Sequence, residues 1–311
     1  MTLAETLERR QLATLSGRLF LTDGGIELVL IHHEGIDLPH MSAFPLLETA
    51  EGRGRLDAYT RPYLEIARRH GAGYVHETPT WRGSWGWTAG MGYSMARTVE
   101  LNRLAVGIGR TLAHRNPDLE IVVSGNVGPR GDGYAPDELM TPEQAADYHA
   151  HQIDAFVDGG ADLATALTIT HAGEAAGIAL AAREAGLPVV ISFTVETDGR
   201  LPSGQPLGEA IGEVDAGVLP QHLGQRHPAP RGFEVDLGTV ALDPGATEHP
   251  LGDLRDELLE PLGGDRVVGV RIVPLQHREL GVVLGRDALV AEVLAELVDA
   301  VDAADDAALE I

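Results

Sequence analysis

Several short apolar runs in this sequence end in side chains that can do chemistry. Asp23 follows Leu19–Leu21 and opens an Asp-Gly-Gly turn. Glu77 and Thr78 stand at the end of the run 74–77, and Glu196 and Asp198 follow the run 189–194. Carboxylates and glycine turns at the C-terminal ends of parallel strands occupy the place where α/β enzymes do their chemistry. Paired carboxylates serve there as general acid and base, and glycine lets a ligand approach the backbone closely. At Asp23 the plain alternative is an ordinary strand-end turn. Trp81, Trp85 and Trp87, the only three tryptophans, lie within seven residues. They either wall a pocket or pack a long loop. The turn from Gly128 to Gly133 carries Arg130 and on its own fits a phosphate cradle only loosely. His149 and His151 are two apart, which does not place them on one helical face. They read as surface or packing residues, as does the group His32-His33-Glu34.

The elements that must position these groups are legible from caps and periodicity. Ala175, Ile178, Ala179 and Ala182 recur at helical spacing, with Thr170 as the expected cap and Gly186 and Pro188 as the stop. The flanking runs 164–169 and 189–194 are too short for helices, so the stretch is a βαβ unit with parallel strands. The same reading gives helices over 59–70 and 94–114 and strands over 19–21, 74–77 and 120–124. Thr141-Pro142-Glu143-Gln144 is a capping box with proline at N1, starting a helix that runs to about Asp158. A short amphipathic helix is expected over Leu3–Leu15. Alternation of this kind means a parallel sheet with helices outside it. A barrel and an open doubly wound sheet both satisfy it.

Bulk composition excludes several classes. The formal charge of -24 opposes binding to nucleic acid or to an anionic membrane surface. The 311 residues contain no lysine, which excludes Schiff-base chemistry on lysine and a Walker A loop. They contain no cysteine, which excludes thiol nucleophiles, disulfides and thiolate metal sites within the chain. The first twenty residues lack an apolar core of signal-peptide length, and no run reaches membrane-span length. A soluble, cytoplasmic protein is the expectation.

Four pieces of the sequence, in order, resemble the homocysteine S-methyltransferase family. They are Thr22-Asp23-Gly24-Gly25-Ile26-Glu27, the stretch from His76 to Arg82, the stretch from Gly128 to Tyr134, and the stretch from Ile191 to Ile211. The resemblance covers roughly residues 20–215. It implies a (β/α)8 TIM barrel, one domain over 1–311, with 216–311 divergent. It implies methyl transfer to the sulfur of homocysteine, giving methionine, with homocysteine and a methyl donor as the partners. Asp23, Glu77, Thr78, Glu196 and Asp198 are the expected substrate-binding residues, the carboxylates holding and orienting the ammonium.

The resemblance also implies zinc, which turns the substrate thiol into a thiolate. The family holds it with three cysteines, one near the end of strand six and a pair after strand eight. None is present here, so no metal ligand is assigned. A glutamate that many family members carry on strand four falls at Leu167. Residues 217–230 hold two histidines and three prolines and show no clean strand, whereas 266–273 reads as a strand and 287–301 as a helix. Natural divergence with loss of zinc, and a change of reading frame near residue 216, both account for the break. Because an open barrel exposes strand edges, the last third is expected to close it irregularly, or the protein to be unstable or to associate, with weaker order after Ala216 than before it. His222, His227, His249 and His277 match no metal spacing. Three functions remain open: a methyltransferase inactive as written, a non-catalytic barrel binding an amino-acid-like ligand or a partner, and a barrel enzyme using paired carboxylates. Arg82, Arg130 and Arg200, near strand ends, are the groups that could stabilise a thiolate by charge.

Overall fold

Glycine stops and side-chain caps set the alternation of elements. The computed structural model describes residues 20–136, 138–196, 199–218, 233–242 and 271–274. Strand β1 is Phe20–Leu21, followed by α1 over Ile26–His32 and α2 over Ala50–His70. Then come β2, Gly73–Glu77; α3, Trp85–Gly90; α4, Met95–Arg115; and β3, Ile121–Val127. Next are α5, Pro142–Gly159; β4, Leu163–Ile169; α6, Ala172–Ala185; and β5, Val189–Val195. The described chain ends with α7, Leu207–Val218; β6, Phe233–Leu242; and β7, Arg271–Pro274. Thr49 and Ser94 cap α2 and α4, and the capping box at Thr141 forms as expected. Gly71, Gly160 and Gly186 end three helices at φ of 62°, 84° and 69°, a conformation that glycine adopts without penalty. One cap moves by a residue. The N-cap of α6 is His171, not Thr170, and it makes no side-chain cap bond.

Every pairing among the described strands is parallel, and these strands follow chain order from β1 to β7. This is the order of a (β/α) barrel and not of a doubly wound sheet, which reverses direction part-way. Strands β1–β5, whose side chains are described, make the first part of that barrel. Alternation along each strand divides the residues between two faces. Outward-facing Val123, Ala164, Ala166, Ile169, Val189, Ile191 and Phe193 pack on Ile153, Phe156, Ile178 and the alanines of α6. The ring of Phe20 lies where a Cβ of Gly73 would be, and Phe20, Val75 and Val122 line the inside.

The sequence reading misses β6. Its pattern, FEVDLGTVAL, begins just past the proline-rich segment in which a sixth strand was sought. Its backbone pairs with β5 from Val189 with Phe233 to Val195 with Val240. Of the strand expected over 266–273, residues 271–273 lie in β7, which pairs with β6 from Thr239 with Arg271 to Leu242 with Pro274, and 266–270 lie outside the described residues. Both strands therefore continue the sheet in the region where the family pattern stops being legible. The expected helices at Leu3–Leu15 and 287–301 lie outside the described residues. No helix among the described residues is long and apolar enough to cross a membrane.

Candidate active site at the barrel mouth

Parallel strands put all their C-terminal ends on one rim, so Asp23, Glu77 and Glu196 share that rim. They differ in burial. Asp23 is 6% exposed, and its Oδ2 accepts a 3.0 Å hydrogen bond from the Tyr59 hydroxyl on α2. Tyr63, one helical turn on, approaches Tyr59 at 3.5 Å between hydroxyls and accepts from the Gly24 N–H at 3.2 Å. Two tyrosines four apart on α2 thus reach back to the Asp-Gly-Gly turn. Burial, and then the charge of Asp23, push the phenols of Tyr59 and Tyr74 well above their ordinary range, so both stay protonated as donors. The four-residue spacing of Tyr59 and Tyr63 was visible in the sequence. That it points at Asp23 was not.

Glu77 is half-buried on the inner face, opposite Ser124 in register. Thr78 is buried, and its hydroxyl belongs to a closed ring of hydrogen bonds. Asn126 N–H donates to Thr78 Oγ1 at 3.0 Å, and Thr80 Oγ1 donates to the Asn126 carbonyl at 2.7 Å. Thr80 has thus used its proton, so in the 2.7 Å contact between the two threonine hydroxyls Thr78 is the donor. The ring staples the end of β3 to the end of β2 and fixes Asn126 beneath the mouth. Farther inside, Ser124 and Thr165 hydroxyls meet at 2.7 Å. Glu196 is exposed in a turn closed by its own backbone: its N–H donates to the Arg200 carbonyl at 2.7 Å. Asp198 lies outside the described residues.

Three loops meet over this rim around Trp81. Its indole Nε1 donates to Thr168 Oγ1 at 3.0 Å. Thr168 sits at φ 58°, a strained position for a β-branched residue, where the pairing of β4 with β5 shifts register. The Gly128 N–H donates to the Trp81 carbonyl at 2.8 Å, and a Cβ at Gly128 would collide with that carbonyl and with the indole. Gly133 packs on Thr168 and Trp81, while its carbonyl accepts from Thr194 Oγ1 at 2.6 Å. The segment from Gly128 to Met140 therefore touches the rim residues of β2, β4 and β5. Arg82 is clamped between two indoles, 4.6 Å from the Trp81 ring and 4.0 Å from the Trp87 ring. It donates to the His40 carbonyl and lies 3.8 Å from Asp132. Trp87 Nε1 donates to the Pro129 carbonyl at 3.1 Å. The tryptophan cluster thus packs the mouth loops together, with Trp85 partly exposed.

A second polar group escaped sequence reading. Glu174 on α6 is buried, and its Oε1 accepts from the Arg130 N–H at 2.7 Å and faces His149 Nε2 at 3.0 Å. Burial alone would raise its pKa. The hydrogen bond and charge of His149 and the Arg130 N–H outweigh that and leave it below the usual carboxylate range. Of the two histidines read as surface or packing residues, His149 is fully buried there and His151 is exposed.

The donor set does not fit a thiolate zinc centre. The chain has no cysteine, and the described residues contain no group of three histidine or carboxylate side chains placed to hold a metal. The guanidinium groups are also committed. Besides the clamp on Arg82, Arg130 donates to the Glu138 carbonyl at 2.6 Å and Arg200 to the Gly204 carbonyl at 2.9 Å.

Comparison with known proteins agrees with this geometry. Structures of the homocysteine methyltransferase MmuM from Escherichia coli share the fold. The metallated form is 20% identical, with 83% of each chain covered and a TM-score of 0.59. The oxidized form is 18% identical over 82% of this chain and 91% of that one, at a TM-score of 0.56. Curated individual proteins give no match. The sequence profile described as Homocysteine S-methyltransferase matches residues 20–224, two thirds of the chain. The chain belongs to the homocysteine S-methyltransferase family.

Proposed function

We propose that the barrel mouth binds homocysteine or a closely similar amino acid, and that the chain as it stands does not methylate it. The observation that carries the binding half is the buried Asp23 carboxylate, oriented by Tyr59 at the end of β1. A buried carboxylate fixed by a neutral donor is a good seat for an ammonium group, because a charge-assisted hydrogen bond strengthens out of water. Glu77 adds a second carboxylate on the inner face, and Glu196 belongs to the outer rim of the site. Thr78 serves it by holding Asn126 in place. Leu167, buried on β4, removes one carboxylate from the family's set and directs ammonium recognition to Asp23 and Glu77.

The catalytic half fails on the thiol. A free thiol has a pKa of about 8.5, so at neutral pH only a few per cent is thiolate. Bound zinc supplies the missing acidity in the family, and this chain lacks the thiolates to hold it. The nearby arginines are bound to backbone carbonyls of the loops, and the rim carboxylates favour an ammonium and disfavour a thiolate. Calorimetric titration with L-homocysteine tests the binding half. Asp23→Asn keeps the shape and removes the charge, and it is expected to weaken binding by about ten-fold to a hundred-fold, the worth of a charge-assisted hydrogen bond. Equal affinity in the variant, or no heat from the unaltered protein, would remove the support for this site.

A further inference from the structure

The loop after β3, described over 128–136 and 138–140, lies across the mouth, and its far end is held by an imidazole. The Met140 N–H donates to His171 Nε2 at 3.2 Å. A ring nitrogen that accepts carries no proton, so the hydrogen-bond network assigns His171 as the neutral tautomer protonated on Nδ1. Nδ1 faces Glu174 Oε2 at 3.7 Å. The same Glu174 accepts from the Arg130 N–H, so His171 and Glu174 hold opposite ends of one loop. Met140 is buried, and its carbonyl lies where a Cβ of Gly173 would be, so the loop end is seated directly on α6.

We infer that neutral His171 is a positioning residue that latches this loop over the barrel mouth, and that protonating it releases the loop. A proton on Nε2 places two N–H groups head to head and removes the acceptor that Met140 requires. Among the described residues, the charged groups that act on His171 are Glu174 on its own helix, Glu213 on α7 and Arg130 in the loop. Glu174 in turn faces His149 on α5, beside Tyr148. Burial dominates this balance and puts the pKa of His171 below its ordinary 6.5, against the upward pull of Glu174, the Met140 backbone and Glu213. The neutral form is therefore present at pH 7, and the latch is lost as pH falls through that lowered value. The consequence for ligand affinity rests on the binding site proposed above. The latch itself does not.

The chain carries its own reporters. Trp87 Nε1 bonds the Pro129 carbonyl, and Trp81 packs on Gly128 and Gly133. Tryptophan emission and acrylamide quenching of the full chain, followed from pH 8 to pH 5 without ligand, read the loop directly. The expected result is a red shift and increased quenching with a midpoint below 6.5, while far-ultraviolet circular dichroism stays constant. His171→Gln, which offers a non-titrating acceptor, is expected to lose the transition and keep the neutral-pH emission. His149→Gln is expected to keep the transition. Amide exchange at Met140 in the unaltered protein gives a check independent of any variant: its protection, corrected for intrinsic rate, should fall through the same midpoint. Constant emission and constant Met140 protection across this range, or a His171→Gln variant that titrates like the parent, would overturn the inference.

Discussion

Replacing Glu174 by alanine is expected to lower stability by about 3–5 kcal/mol, the usual cost of removing one partner from a buried charged network. The carboxylate is shielded from water and answers two donors at once, Arg130 N–H and His149 Nε2. Alanine leaves both without an acceptor, and each orphaned donor costs about 1–3 kcal/mol. The loss falls on three elements together, because Glu174 joins α6 to α5 and to the loop after β3. Glutamine fills the same space but accepts on only one side-chain atom and offers an N–H on the other. Its cost should be smaller, about 1–3 kcal/mol, because both donors share Oε1 and keep an acceptor, while the charge is lost and the new N–H faces the Nδ1–H of His171. Chemical denaturation of the three proteins at neutral pH measures the order. A Glu174→Ala variant within about 0.5 kcal/mol of the parent, the range of an ordinary surface change, would show that the network contributes nothing.

The second large effect is a dependence of stability on acid. His76 lies on the outward face of β2, packed against Gly109 of α4, with its Nε2 buried and without a hydrogen-bond partner. Burial lowers its pKa from 6.5 to about 4. In the unfolded chain the imidazole takes up a proton near 6.5, whereas in the fold it resists until about pH 4. Its contribution is thus fully present above 6.5 and is lost progressively between 6.5 and 4. The amount is on the order of 3 kcal/mol, from the free energy of one pKa unit. His171 adds to the loss in the same direction. His76→Leu removes the titration and a polar atom that the core leaves unsatisfied. Denaturation midpoints measured from pH 8 to pH 4 are expected to fall less steeply for this variant, and stability at neutral pH should rise by about 1–3 kcal/mol. Parallel profiles for parent and variant would assign the acid loss elsewhere.

The parts of the fold that were legible in the sequence are those fixed by local chemistry. The span of α6, Ala172–Ala185, follows from its alanine spacing and from Gly186. The start of α5 follows from the Thr141 box, and β2 to β5 follow from apolar runs bounded by turn signals. Strand β6 was not legible, because Asp236 and Gly238 interrupt its apolar pattern and prolines crowd the segment before it. Within the site, strand ends located Asp23, Glu77 and Glu196 on one rim, but their separate burial depends on contacts made at long range. Asp23 is buried, and the Tyr59 that bonds it is brought by α2 from thirty-six residues away. The Thr78–Thr80–Asn126 ring and the Glu174 network each join residues from different βα units, and no spacing along the chain announces them. Strain at Thr168 is equally silent in sequence: its positive φ coincides with the register shift of β4 and with the bond from Trp81, a residue far away in the chain.

We propose a barrel that retains the seat for an amino acid and lacks the means to ionise its thiol. Methionine formation tests that most directly, measured with L-homocysteine and a sulfonium methyl donor, with and without added zinc and with a chelator. The expected result is product at the uncatalysed rate in all three conditions. Robust turnover that survives the chelator would contradict the account, because it would require a metal-free route to the thiolate, and turnover that appears only with zinc would contradict it by revealing a ligand set beyond the residues considered at the mouth.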